Sequence, residues 1–235
     1  MSGAEPMDEF EAAYEALAAV PALEPKIRHL VALAVSASVT HLHAPGVREH
    51  TRAALDHGAT PAEIVETLQL TSVLGVHALT TGVPLLAESL RRRGRYPAAD
   101  DPRIEPLKAD FTRRRGYWDA GWDDLLTLDP AYFAAYTRYS AVPWETGPLP
   151  AKVKEFIYIA IDASATHMYA DGLRVHIENA LDHGATPTEV MAVLEVASLI
   201  GIRTLDLALP ILHTLQNDTP AINTGPASDE QNGPR

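Results

Sequence analysis

Apolar residues recur along this chain at the three-and-four spacing of a helix's buried face, and the pattern occurs twice. Ile27, Leu30, Val31, Ala34, Val35 and Ser38 form one stripe; Val153, Phe156, Ile157, Ala160, Ile161 and Ser164 form its match. A second helix is predicted from about Val47 to His57, stopping at Gly58, whose missing side chain suits the left-handed residue after a helix. A third opens at Thr60-Pro61-Ala62-Glu63 and again at Thr186-Pro187-Thr188-Glu189. Each copy supplies a cap hydroxyl, a proline at the first helical position and a glutamate at the third, which is a capping box. Gly75 and Gly201 fall late in this pattern and mark either a close helix approach or a break before segments ending at Pro84 and Pro210. A leading helix is predicted over residues 9–20, packed by Phe10, Tyr14 and Leu17 and ended by Pro21 and Pro25. Its counterpart starts at Asp129-Pro130 and runs into a loop with Pro143, Gly147, Pro148 and Pro150. Neither copy holds a strand pattern, so the fold class is all-α: two tandem helical repeats related by a pseudo-twofold.

The repeat is visible residue by residue. Residues 26–90 and 152–216 align without a gap at an offset of 126, with 25 of 65 pairs identical; chance gives about 4. In the densest block of identities polar residues outnumber core residues: Ser38, Thr40, His41, Gly46, Arg48, His50 and the run Ala54 to Pro61 recur as Ser164, Thr166, His167, Gly172, Arg174, His176 and the run Ala180 to Pro187. Apolar positions in duplicated helices drift easily, so the shared His, Arg and Gly point to a common structural or chemical job. The organisation is a first repeat over 9–90, a connector over 91–128, a second repeat over 129–216, and a tail over 217–235 too poor in apolar residues to order itself. The connector carries two Arg triplets and two Trp, which suit either a solvated link whose aromatics pack across the halves or an anion-contacting loop.

Composition narrows the chemistry. The chain has no cysteine among its 235 residues, which removes disulfides, thiolate nucleophiles and Cys-based zinc sites. A net charge of -12 argues against nucleic acid and offers an anionic substrate no long-range attraction, so any anion site must be local. No stretch approaches the roughly 18 uninterrupted apolar residues of a membrane helix, and the acidic start MSGAEPMDEFEAAYEAL does not read as a signal peptide. The expectation is a cytoplasmic protein with neither membrane nor nucleic-acid partners.

The histidines are the candidate chemistry. His50 and His176 share a helix face with Val47 and Ala54, and with Leu173 and Ala180, so they should be buried; there they are either structural bridges or general acid/base groups. His41 and His167 follow threonines in the preceding turn, where they either reach into a cavity or make local hydrogen bonds. His57 and His183 read as helix-end caps. His43 has Tyr169 as its counterpart. A zinc site from His41, His43 and His50 has no standard spacing and no carboxylate that can be placed, so no metal is expected.

The run HTRAALDHGATPAEIVETL, repeated as HIENALDHGATPTEVMAVL, resembles the carboxymuconolactone decarboxylase family, which includes alkylhydroperoxidase D-like proteins. The likeness covers both repeats and implies helical units that assemble with neighbours. A tandem chain then imitates a dimer, giving a homo-oligomer: a trimer of tandem chains, or a dimer. In the peroxidase branch Cys-x-x-Cys precedes the His; here those positions are His43 and Gly46, and Tyr169 and Gly172, so dithiol peroxidase chemistry is excluded. That branch's upstream Glu is matched by Glu155, opposite His29, so the halves differ chemically. The decarboxylase branch remains, implying a cofactor-free lyase for a small carboxylate or lactone. On this reading His50 or His176 is the proton donor, with His41 or His167 and Arg48 or Arg174 fixing the anion, and with His43, Tyr169 and Glu155 as further substrate contacts. The competing reading is a non-catalytic ligand-binding or scaffold protein. Histidines and arginines converging on an open cavity favour the enzyme, and closed, fully partnered histidines favour the scaffold.

Overall fold

The computed structural model describes residues 5–20, 22–98 and 100–218, in two compact units, residues 1–200 and 201–235. The first half holds α1 (Glu5–Ala19), α2 (Pro25–Ala37), α3 (Ala44–Asp56), α4 (Pro61–Ser72), a tight turn at Val73–Val76 and α5 (His77–Arg92). Between the halves lie α6 (Ile104–Arg115), a tight turn at Ala120–Trp122 and α7 (Asp123–Leu128). The second half holds α8 (Pro130–Thr146), α9 (Ala151–Ala163), α10 (Ala170–Asp182), α11 (Pro187–Ser198), a turn at Leu199–Ile202 and α12 (Arg203–Asp218). No strand occurs among the described residues. The second unit is represented by α12, where Arg203 pairs with Asp206 at 2.9 Å and Leu207 and Ile211 are exposed. The tail expected over 217–235 lies outside the described residues from 219 onward.

The two amphipathic stripes lie side by side at the centre as α2 and α9. Leu30, Leu33 and Ala34 join Leu70, Leu74, Val153, Ile157 and Ile161 in one cluster; Val31 and Val35 join Phe156, Ile159, Val190 and Val193 in another. α9 is buried at every position from Val153 to Asp162, more completely than a one-faced stripe predicts, because elements of both halves pack around it. It therefore takes Lys154, Glu155 and Asp162 into the core. Lys154 pairs with the buried Glu66 of α4 at 2.8 Å and donates to the Pro143 carbonyl at 2.6 Å, while Glu66 accepts from the Leu149 N–H at 2.7 Å. This joins the halves. Gly147 lies so close to the Glu66 carboxyl that a Cβ there has no room.

Much of the shared polar block is structural. In the turn after each central helix, Ser38 Oγ lies 2.7 Å from Thr40 Oγ1, and Ser164 Oγ lies 2.9 Å from Thr166 Oγ1. The two threonines meet each other at 3.2 Å across the pseudo-twofold. Each turn closes through a left-handed non-glycine residue, Leu42 (φ 48°) or its counterpart Met168 (φ 54°), a conformation that costs about 1 kcal/mol or more. Both capping boxes form as expected, and Gly58 and Gly184 take the left-handed positions after α3 and α10. Gly75 marks a break, not a close approach: nothing lies within 4 Å of where its Cβ would be.

Three expectations fail. Pro84 and Pro210 do not end helices and Pro143 does not lie in a loop; α5, α12 and α8 run through them. α1 forms, but Phe10 is 51% and Leu17 58% exposed, while Tyr14 is half-buried and donates to the Leu199 carbonyl at 3.4 Å. Helical spacing fixes which residues share a face, not whether that face is covered. The span Pro61–Arg92, α4 and α5 joined by the tight turn, is long and apolar enough to cross a membrane by length and composition; its α4 part carries the buried Glu63 and Glu66.

Two outcomes test this scaffold. Burial works to raise the Glu63 carboxyl, but the Thr60 N–H and the Lys26 ammonium at 3.1 Å outweigh it; Lys152 at 2.8 Å and the Thr186 N–H likewise hold Glu189 down. With folded values below the unfolded one of about 4.3, their contribution is present above that pH and is lost as pH falls through the folded values. The Glu63→Gln/Glu189→Gln double variant should therefore show a flatter loss of urea midpoint between about pH 5 and 3 than the parent. Lys154→Met strands Glu66 in the core and should lower unfolding free energy by about 3–5 kcal/mol.

Candidate functional site

The second half holds a cavity of about 370 Å³. α9 and α10 supply one wall with Tyr158, Asp162, Arg174 and His176; Tyr169 stands just before α10; and the start of α5 contributes His77 and Thr80 from the first half. The connector closes it with Arg115, Tyr117 and Trp122.

His176 Nδ1 lies 2.6 Å from Glu155 Oε2, and Asn179 donates to the other carboxylate oxygen at 3.2 Å. A carboxylate only accepts, so Nδ1 carries the hydrogen, leaving Nε2 as the nitrogen that can exchange a proton. Tyr158 stacks on the His176 ring at 4.5 Å and holds its plane. The pair thus has the orienter-and-base arrangement of acid/base sites.

Arg115, the last residue of α6, is 7% exposed, and no carboxylate lies within ion-pair distance of it among the described residues. Its guanidinium stands over the Trp144 ring at 5.1 Å and near Tyr158 at 5.8 Å, and its Nε has no hydrogen-bond partner. Burial opposes its charge, but the surrounding phenols and Glu155 raise its pKa above the arginine norm. Burial pushes the Tyr117 phenol up to about 12 and raises Tyr136 and Tyr158 as well, so the aromatic walls stay neutral. A buried cation without a counter-ion, facing a cavity, is a ready anion contact.

In the same region, His77 Nδ1 lies 2.5 Å from His167 Nε2, and His77 Nε2 lies 3.8 Å from Asp162 Oδ1. Tyr169 stacks on His77 at 3.9 Å and donates to Thr80 Oγ1 at 2.6 Å. Burial, with His167 and His176 nearby, drives His77 down to about 3, and burial lowers His167. Burial also raises Asp162 to about 7, opposed by His176 and aided by Glu155.

The structure thus puts Tyr169, Arg174 and His176 on the cavity, with Glu155 behind His176 and His167 behind His77. Their first-half counterparts are not gathered in the same way. His50 faces His29 at 5.7 Å where His176 has Glu155; His43 caps α3 by accepting from the Gly46 N–H at 3.0 Å; His41 stacks on His43 at 5.4 Å; and exposed Arg48 borders an open hollow with Glu49 and Arg52. Asp162 and Tyr158 are replaced there by Ser36 and Ala32. Reading the repeat for identities passed over Asp162, Tyr158 and His77, whose partners at the same offset are Ser36, Ala32 and Arg203. Arg115 belongs to the second Arg triplet, where an anion-contacting role was one of two readings. The charged residues interrupting the apolar run VKEFIYIAID were the available signal for Glu155 and Asp162.

The sequence profile of the Carboxymuconolactone decarboxylase family matches residues 4–88 and 130–206. A crystal structure from Burkholderia xenovorans, described as a candidate gamma-carboxymuconolactone decarboxylase subunit, is 46% identical, covers 89% of this chain and 87% of its own, and superimposes with a TM-score of 0.87. No curated protein is significantly similar.

Gly172 lets α10 approach α9 here: a Cβ would press on Asp162 Oδ2 and come within 2.7 Å of the Tyr169 ring. Gly172→Ala should therefore destabilise the fold by about 1–3 kcal/mol, read as a lowered thermal midpoint.

Proposed function

The chain belongs to the carboxymuconolactone decarboxylase family, and from that premise we propose that it is a decarboxylase-type carbon–carbon lyase acting in the cytoplasm on a small carboxylated or lactone ring compound. One observation carries the reading: the Glu155-oriented imidazole of His176 and the buried Arg115, which has no carboxylate within ion-pair distance among the described residues, line the same cavity. In a decarboxylation the bond to the carboxylate carbon breaks, carbon dioxide leaves, and the electron pair is delocalised into the conjugated ring before carbon takes a proton. His176 delivers that proton from Nε2 and recovers one from water, while Glu155 stabilises the ring when both nitrogens carry hydrogen. Arg115 holds a carboxylate that the substrate keeps, and Arg174 adds a second cation at the exposed rim. The neutral rings of Tyr117, Tyr136 and Trp122 give a flat substrate an apolar wall. No cofactor is needed for this acid–base chemistry.

The first half lacks a carboxylate at the Glu155 position, which supports one working site per chain, with His50 structural. An open cavity on which His176, Arg115 and Arg174 converge supports an enzyme over a scaffold. Exposed Leu85, Leu86, Phe10 and Leu17 support a homo-oligomer, a trimer of tandem chains or a dimer.

Carbon dioxide release from a carboxylated unsaturated lactone tests the reading. His176→Gln should lower kcat by about 10²-fold or more, and His50→Gln should leave it close to the parent. Full activity in the His176 variant, with its fold intact, would overturn the assignment.

A further inference from the structure

The acid–base reading uses His176, Glu155 and the arginines and leaves one cluster beside the cavity, half-buried histidines around a buried aspartate, without a task. His77, at the start of α5, comes from the first half; Asp162, at the end of α9, and His167, in the turn that follows, come from the second. Each offers one donor atom, and the three atoms lie within 4.8 Å of one another. Two ligand atoms on one first-row ion can be at most about 4.2 Å apart, given bonds of about 2.0–2.2 Å, so a small inward rotation of these side chains suffices.

Two further observations point to a ligand here. Asp162 is 1% exposed, and its Oδ2 has no hydrogen-bond partner, an arrangement that a nearby cation would relieve. His77 is held as metal-binding imidazoles are, by neighbours that fix its ring: Tyr169 stacks on it at 3.9 Å and is itself tied to Thr80 at 2.6 Å. Because His77 and Asp162 line the cavity, an ion held by three protein ligands keeps an open position toward it. The expectation of no metal was argued from His41, His43 and His50 and from a carboxylate that could not be placed; the fold places that carboxylate beside a different pair of histidines.

We propose that His77, His167 and Asp162 form a binding site for a divalent first-row cation of the zinc, iron or manganese class, shared between the two halves and open to the cavity. Two imidazoles and one carboxylate suit such ions and not calcium or magnesium, which prefer all-oxygen sets. With its open position the ion can take an oxygen of whatever occupies the cavity. The site does not depend on the acid–base assignment.

The test uses the full-length, tag-free chain, stripped with a chelator and titrated calorimetrically with Zn²⁺ and Mn²⁺. The expected result is one equivalent per chain, weakened by more than about tenfold in His77→Ala and in Asp162→Asn and unchanged in His213→Ala, which removes an exposed histidine. Co²⁺ bound to the unmodified chain should show visible bands of nitrogen and oxygen ligation, a readout that survives if Asp162→Asn fails to fold. Absence of saturable binding by any of the three ions, or equal binding in the His77 variant, would overturn the site.

Discussion

A helix buried on nearly every side cannot leave its charged side chains to water, and α9 buries three of them, Lys154, Glu155 and Asp162. The surrounding structure follows from how each is accommodated. Lys154 reaches across to Glu66 of the first half, with the Pro143 carbonyl and the Leu149 N–H completing the set, so the ion pair that solves a burial problem also clamps the two repeats. Glu155 is met by His176 and Asn179 from α10, which fixes an imidazole beside a cavity. Asp162 is met only partly, by His77 from the other half at 3.8 Å, and its second oxygen stays without a partner. Structure and candidate chemistry are thus consequences of one constraint, because an unpaired buried charge is far more costly than a paired one.

The pseudo-twofold divides the shared residues into two kinds. Ser38, Thr40 and their counterparts hold the matching turns, which touch each other through the threonines, and the two capping boxes with Lys26 and Lys152 start matching helices. These are needed in both halves. His176 and Arg174 are shared too, but they line the cavity while His50 and Arg48 do not, beside residues where the halves differ: Asp162 against Ser36, Tyr158 against Ala32, and Glu155, which holds His176, against His29. Duplication preserved the frame, and divergence built the site, with the connector adding Arg115 to one side only.

Much of the frame was legible in the sequence. Stripe periodicity, the cap motifs and Gly58 depend on neighbours within a few residues, so they are written locally: α4 and α11 begin at their capping boxes, and α2 and α9 carry the two stripes. His176, Glu155, Arg174, His167 and Tyr169 were also found by aligning the copies with a family pattern, and they do meet. The same method could not distinguish His50 from His176, because identical residues in equal local settings differ only in what packs against them.

The sequence by itself determined the all-helical class, the duplication, the caps and the exclusion of thiol chemistry, since these rest on short-range backbone preferences and on which atoms the chain contains. Only the tertiary structure decided that His176 and not His50 lines the cavity, that Arg115 is buried with no carboxylate at ion-pair distance among the described residues, and that His77 from one half stands against His167 and Asp162 from the other. Those facts depend on contacts between residues some 40 to 90 positions apart, such as His77 to His167 at a separation of 90 and Glu66 to Leu149 at 83. Burial, which sets the energy of every charge in the site, arises only when those distant segments close around it.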